Sequence, residues 1–145
     1  MTDRLKNVGL AAVICFTFFG VQSSPASSPK QDTAVAVNVL RAINTAEYIY
    51  KQNHGAYAPW AVLVASSEFV KNGLPWAISQ KPELSKIEFS TKPDSVPGWN
   101  LRILISSDSK SYDASLERTS DSCNYAVGSD ERGLIRESKT LECEK

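Results

Sequence analysis

Hydrophobic residues between Ser28 and Gly55 recur at helical spacing, which predicts one long helix. At 100° per residue they form one broad stripe, and polar residues fall opposite. Ser28 begins a capping box, with proline at the first helical position and glutamine three residues after the cap. Gly55 suits the left-handed position that ends a helix. The stripe consists of Val35, Val39, Ala42, Ile43, Ala46, Ile49 and Tyr50.

A second, shorter helix is predicted over residues 60–72, after a turn at residues 56–59. Its expected apolar contacts are Trp60, Leu63, Val64 and either Phe69 or Val70. Gly73 and Leu74 match a helix stop in which the leucine folds back onto the last turn. The segment between Pro75 and Pro82 carries no pattern that predicts regular structure.

From residue 86 the hydrophobic spacing changes to two, which is typical of strands. Strands are predicted at residues 87–89, 99–105, 112–118, 123–127 and 134–136, the first of them short. Short connections between successive strands indicate antiparallel hairpins. The expected fold is therefore α+β, with the long N-terminal helix packed on an antiparallel sheet of about four strands.

The first 26 residues have the layout of a secretory signal peptide. Arg4 and Lys6 precede an apolar run of about 14 residues, and Ser24 and Ala26 are the small residues of a cleavage site after Ala26. The run is short for a membrane span. We therefore expect a signal peptide at residues 1–26 and one exported domain at 27–145, periplasmic or extracellular, with no membrane span after cleavage. The alternative is an uncleaved segment that anchors the chain to the inner membrane.

The charge balance argues against one class of partner, and the cysteine content predicts a covalent cross-link. The 16 basic and 16 acidic residues balance, which argues against a nucleic-acid partner. Cys123 and Cys143 follow the predicted signal, and an even number in an exported chain predicts one disulfide. The bond would stabilise the fold by about 3 kcal/mol in the loop-entropy model. Two free thiols are the alternative.

No arrangement of residues predicts catalysis, a cofactor or a metal. His54 is the single histidine, and we expect it to interact with the carboxyl end of the helix. No serine lies in a nucleophile-elbow motif. Asp121, Asp130 and Glu131 lie near the last hairpin, but their spacing matches no calcium loop. Asp130 is expected to accept backbone N–H bonds within its turn.

Glu47 lies at the edge of the apolar stripe and has two interpretations. The favoured one pairs it with Lys51, one turn later. The alternative buries it against backbone N–H groups or a tyrosine hydroxyl of the core. Four aromatic residues form a candidate interaction surface, because tyrosine and tryptophan are enriched at protein interfaces. They are Tyr48, Tyr57, Trp60 and Trp76.

Two segments resemble bacterial type IV pilins and type II secretion pseudopilins. They are residues 42–50 with Gly55-Ala56-Tyr57, and the terminal hairpin at residues 125–136. The resemblance implies a helix on an antiparallel sheet, and a structural or protein–protein interaction role with envelope, pilus or secretion components. The chain departs from the family in lacking the usual prepilin N-terminal helix half, since Pro25 and Pro29 interrupt that helix. The alternative function is a secreted small-ligand-binding or inhibitor module with a groove between the second helix and the sheet.

Overall fold

The computed structural model describes residues 29–120 and 125–138, with the side chains of the first helix described from Thr33 onward. The predicted signal peptide, the helix cap at Ser28, and Cys123 and Cys143 lie outside the described residues. The helical elements are α1 (Pro29–His54), α2 (Trp60–Leu63), a π-helical turn (Phe69–Gly73), α3 (Leu74–Gln80) and a 3₁₀ turn (Pro82–Lys86). The strands are β1 (Trp99–Ile105), β2 (Tyr112–Arg118), β3 (Ala126–Asp130) and β4 (Ile135–Ser138). The predicted α+β class is confirmed.

The four strands form one antiparallel meander in the order β1-β2-β3-β4, as predicted. The third strand begins at Ala126 and extends through Ser129 and Asp130. The sequence had placed these last two residues in the turn between β3 and β4 instead. The predicted short strand at residues 87–89 is wrong, because that segment has no regular structure. Phe89 instead packs edge-on against Phe69, with ring centroids 5.3 Å apart.

Helix α1 packs on one face of this sheet and reaches both of its ends. The helix contacts β2 and β3, and Leu116 and Val127 of these strands are fully buried. Thr33 accepts a hydrogen bond from Arg118 Nη2 at 3.5 Å, at the end of the sheet where β2 finishes. Asn44 contacts the opposite end, where β2 begins, which we call the Tyr112 end. None of the helices in residues 29–120 and 125–138 has the length and apolar character to cross a membrane.

The predicted end of α1 at Gly55 is confirmed. Gly55 has a φ of 78°, and its N–H donates to Lys51 O at 2.8 Å. The positive φ suits glycine because it has no Cβ to clash in the left-handed region. The chain then turns back, and Tyr57 N–H donates to Ser109 O in the β1–β2 connection at 3.1 Å. Residues 55–59 are thereby held between the end of α1 and the sheet.

The second helical region differs from its prediction. The expected helix at residues 60–72 is interrupted after α2, and Gly73 does not end it, because its φ of −63° is helical. Gly73 instead lies against α1, so close that a Cβ would overlap Ala42 O and lie 3.3 Å from Ala46 Cβ. Pro75 occupies the first turn of α3, where the missing N–H is not needed. The segment expected to be irregular is therefore largely helical.

Candidate functional site

Asn44 joins α1 to the sheet at its Tyr112 end. Its Oδ1 accepts a hydrogen bond from Tyr112 Oη at 2.7 Å, and its Nδ2 lies 2.8 Å from Ser129 Oγ. A longer bond of 3.4 Å runs from Nδ2 to Gly133 O in the β3–β4 turn. One side chain of α1 thus contacts β2, β3 and the last turn.

A small cavity of about 120 Å³ opens beside Asn44. We call it the tyrosine pocket, and its lining consists of Asn44, Tyr48, Tyr57, Tyr112, Glu131, Arg132 and Gly133. Two of its rings, Tyr57 and Tyr112, are buried and meet edge to face at 4.9 Å. Tyr48 remains 65% exposed on the helix surface. The pocket therefore combines a fixed aromatic wall with one aromatic ring open to solvent.

The β3–β4 turn fixes Arg132 in the wall of this pocket. Asp130 Oδ1 accepts the Arg132 N–H at 3.1 Å, which confirms the predicted role of Asp130 in its turn. Arg132 Nε and Nη2 both donate to Asp130 Oδ2, and Arg136 Nη1 lies 3.7 Å from the same oxygen. These contacts with Arg132 hold the pKa of the Asp130 carboxyl below its usual value. Gly133, with a φ of 72°, completes the turn.

Glu47 lies inside the core, and the favoured pairing with Lys51 is wrong. Glu47 is 0% exposed, and its Oε2 accepts the Ala58 N–H at 3.0 Å. Lys51 Nζ instead donates to Tyr57 Oη at 3.3 Å and lies 4.3 Å from the Tyr57 ring centroid. The alternative, burial against a backbone N–H, is confirmed.

The environment of Glu47 disfavours its ionised form. Burial raises the pKa of Glu47 to about 7, and the hydrogen bond from Ala58 only partly opposes this. Among residues 29–120 and 125–138, its buried Oε1 has no hydrogen-bond partner. The pKa of Tyr112 is raised as well, mainly because the residue is buried and secondly because the Glu47 carboxyl is near. The core carboxyl of Glu47 and the pocket residue Tyr112 therefore both favour their neutral, protonated forms.

The predicted interaction surface is only partly exposed. Tyr57 and Trp60 are each 8% exposed, and Trp60 Nε1 donates to Ser90 O at 2.8 Å. These two residues belong to the core, although Tyr57 also lines the pocket. Trp76 is 43% exposed on α3, outside the pocket lining. The sequence did not single out Asn44, Tyr112 or Arg132, because only the fold brings them together.

His54 lies in the last turn of α1, as predicted. Its Nε2 is 3.7 Å from Glu68 Oε1, and its ring lies 4.1 Å from that of Tyr50. Hydrogen bonding from Asn53 is the main reason that the pKa of Glu68 is lowered. In the described part of the chain, no three or more His, Cys, Asp or Glu side chains are grouped to hold a metal ion.

No family model, no curated protein and no solved structure matches the chain.

Replacing Asn44 with alanine is expected to lower the free energy of unfolding by about 2 kcal/mol. The change leaves the buried Tyr112 hydroxyl without its acceptor, and an unpaired buried group costs about 1–3 kcal/mol. Urea unfolding measured by circular dichroism tests this. Thr45→Ala is the matched control, since Thr45 bonds Arg41 O in its own helix and is expected to cost little. Equal losses in the two variants would contradict a joining role for Asn44.

Proposed function

We propose that the chain is an exported, non-enzymatic, pilin-like domain that acts through protein–protein contact in the cell envelope or secretion apparatus. In this proposal residues 1–26 are removed as a signal peptide and residues 27–145 form the domain. Its partners are envelope, pilus or secretion components. The observation that carries the proposal is the tyrosine pocket, formed where α1 crosses the end of the four-stranded meander.

The arrangement of helix and sheet supports a pilin-like domain. The proposed long N-terminal helix corresponds to α1, which contacts the sheet through Thr33 at one end and Asn44 at the other. A helix laid along a sheet that follows it in sequence is the arrangement that the resemblance to pilins implies. The proposed role in protein–protein contact rests on the tyrosine pocket, which this packing leaves exposed.

The residue types around the tyrosine pocket support a protein partner. Tyrosine and arginine are enriched in interfaces and supply many of their strongest contacts. Arg132 is already fixed by Asp130, so it loses little side-chain freedom when a partner binds. Tyr48 is exposed on α1 beside it and is accessible to a partner. The exposed Leu134 follows directly in the same turn and adds apolar surface.

The alternative, a secreted small-ligand-binding or inhibitor module, is less well supported. Ligand pockets commonly have volumes of roughly 300–1,000 Å³. The tyrosine pocket has about 120 Å³, and an apolar cavity between α1, the 3₁₀ turn and β1 has about 240 Å³. That second cavity is lined by Val35, Glu83, Lys86, Ile87, Pro97 and Trp99. An open groove across β2, β3 and β4 has about 280 Å³, which is also below the range for ligand pockets. A space of 120 Å³ suits one side chain of a partner better than a whole ligand.

Site-specific cross-linking in the native cells tests the proposal. A photoreactive phenylalanine analogue placed at Tyr48 is expected to give a discrete protein adduct in the envelope fraction. The same analogue at Gln80, which is exposed at the end of α3, is the matched control and is expected to give none. Recovery of the protein in the cytoplasm, or equal labelling from both positions, would contradict the proposal.

A further inference from the structure

Three hydrogen bonds attach the buried residues Tyr57 and Ala58 to α1 and to the β1–β2 connection. Tyr57 N–H donates to Ser109 O, and the Tyr57 hydroxyl accepts a bond from Lys51. The third contact is the bond from Ala58 N–H to Glu47 Oε2, which is fully buried. We call residues 55–59 the latch loop. It matters for the site because Tyr57 forms part of the wall of the tyrosine pocket.

The contact with Glu47 differs from the other two because its acceptor is a carboxyl with a pKa of about 7, which can lose its proton near neutral pH. A carboxyl in its neutral form is tolerated in a buried site, whereas a buried carboxylate needs several donors or water. In the closed structure one oxygen of Glu47 has a single backbone donor, and the other has none within the part of the chain that the structure describes. Ionisation therefore favours an arrangement in which water reaches this carboxyl.

The ionisable groups on the surrounding elements do not supply the missing donor. Lys51 of α1 is directed to Tyr57, and Tyr112 of β2 donates its hydroxyl proton to Asn44. Glu68, before the π-helical turn, accepts hydrogen bonds from Asn53 and Ser67 and faces His54. At the β3–β4 turn, Asp130 is paired with Arg132 and Arg136. Each of these groups already has another partner.

We propose that Glu47 is a proton-controlled latch, whose protonated form holds the latch loop closed on α1 and whose ionised form releases the loop to water. Release would move Tyr57 and so reshape the tyrosine pocket. This effect on a partner rests on the proposed function, whereas the latch itself does not.

The expected size of the effect follows from linkage. The carboxyl has a pKa of about 7 in the closed structure, and an ordinary value of 4.5 applies once water reaches it. The opening equilibrium of the loop then rises with pH, by about tenfold between pH 6 and pH 8.

Hydrogen exchange of the Ala58 amide tests the latch directly. Exchange rates divided by the chemical rate at each pH give the opening equilibrium, which is expected to rise about tenfold from pH 6 to pH 8 in the wild type. Glu47→Gln keeps an acceptor but cannot ionise, so its opening equilibrium is expected to stay constant. Glu68→Gln removes a buried carboxylate outside the latch and is expected to keep the wild-type pH dependence.

Two further measurements show whether Glu47 itself controls the opening of the loop. The carbon-13 shift of the Glu47 carboxyl is expected to titrate near neutral pH, and titration below pH 5 would overturn the proposal. The Leu116 amide, in the centre of β2, reports global unfolding, and equal opening equilibria at Ala58 and Leu116 would mean that the loop opens only when the whole fold does, which would also overturn the proposal. Neither result depends on a partner, so failure of the cross-linking experiment at Tyr48 would leave the latch intact.

Discussion

Replacing Gly73 with alanine is expected to lower the free energy of unfolding by about 3 kcal/mol or more, an amount at the upper end of overpacking costs. At an ordinary helical position the same change stabilises by up to about 1 kcal/mol, because alanine is the better helix former. Here the new Cβ would overlap the carbonyl oxygen of Ala42, which is backbone of α1 and cannot rotate away. The π-helical turn and α1 would have to separate. A fall in the melting temperature of roughly 10 °C is expected by calorimetry.

Gly128→Ala is the matched control for this prediction. A Cβ at Gly128 would lie 3.6 Å from Ala114 O, an ordinary contact, and Gly128 does not have a positive φ. Its free energy of unfolding is expected to change by less than about 1 kcal/mol. If Gly73→Ala were as stable as the wild type, the close approach to Ala42 would not be a structural requirement.

Gly73 also shows why part of the helical region could not be predicted. Glycine followed by leucine is typical of a helix stop, and the same pair serves when a helix must pass close to another. The deciding atom, Ala42 O, is 31 positions earlier in the sequence and becomes relevant only after folding. Gly55 could be predicted because the bond that ends α1 joins residues four apart, Gly55 and Lys51. Local rules identify local contacts.

The sheet was predictable for a similar reason, whereas the site was not. Alternation in residues 99–105 and 112–118 directly reflects burial of one face, and both strands have the predicted bounds. The helical pattern puts Asn44 on the polar side of α1, yet Asn44 bonds Tyr112 and Ser129. The spacing of apolar residues around Phe89 predicts a strand, but its partner is an aromatic ring of the π-helical turn. The role of Asn44 and the irregular structure around Phe89 therefore both depend on side-chain partners that are distant in the sequence.

Glu47→Gln is expected to remove a pH-dependent loss of stability. The folded pKa of Glu47, about 7, lies above the ordinary value of 4.5 for the unfolded chain. Because the folded state binds this proton more tightly, protonated Glu47 contributes stability that is fully present below pH 4.5. That stability is lost as pH rises through 7. The loss is at most about 3 kcal/mol, since one pKa unit corresponds to 1.36 kcal/mol. Relative to the wild type, the variant should therefore gain up to that amount between pH 4 and pH 8.

The difference between the two proteins is the quantity to measure, because other carboxyls act in the opposite direction. Glu68 and Asp130 have lowered pKa values, so their contribution is present at neutral pH and is lost as pH falls. They affect wild type and Glu47→Gln equally, and subtraction leaves Glu47 alone. Glu68→Gln should show the opposite sign, with its deficit largest at neutral pH. Urea unfolding at several values between pH 4 and pH 8 tests this, and parallel curves for wild type and Glu47→Gln would show that Glu47 does not change charge on unfolding in this range.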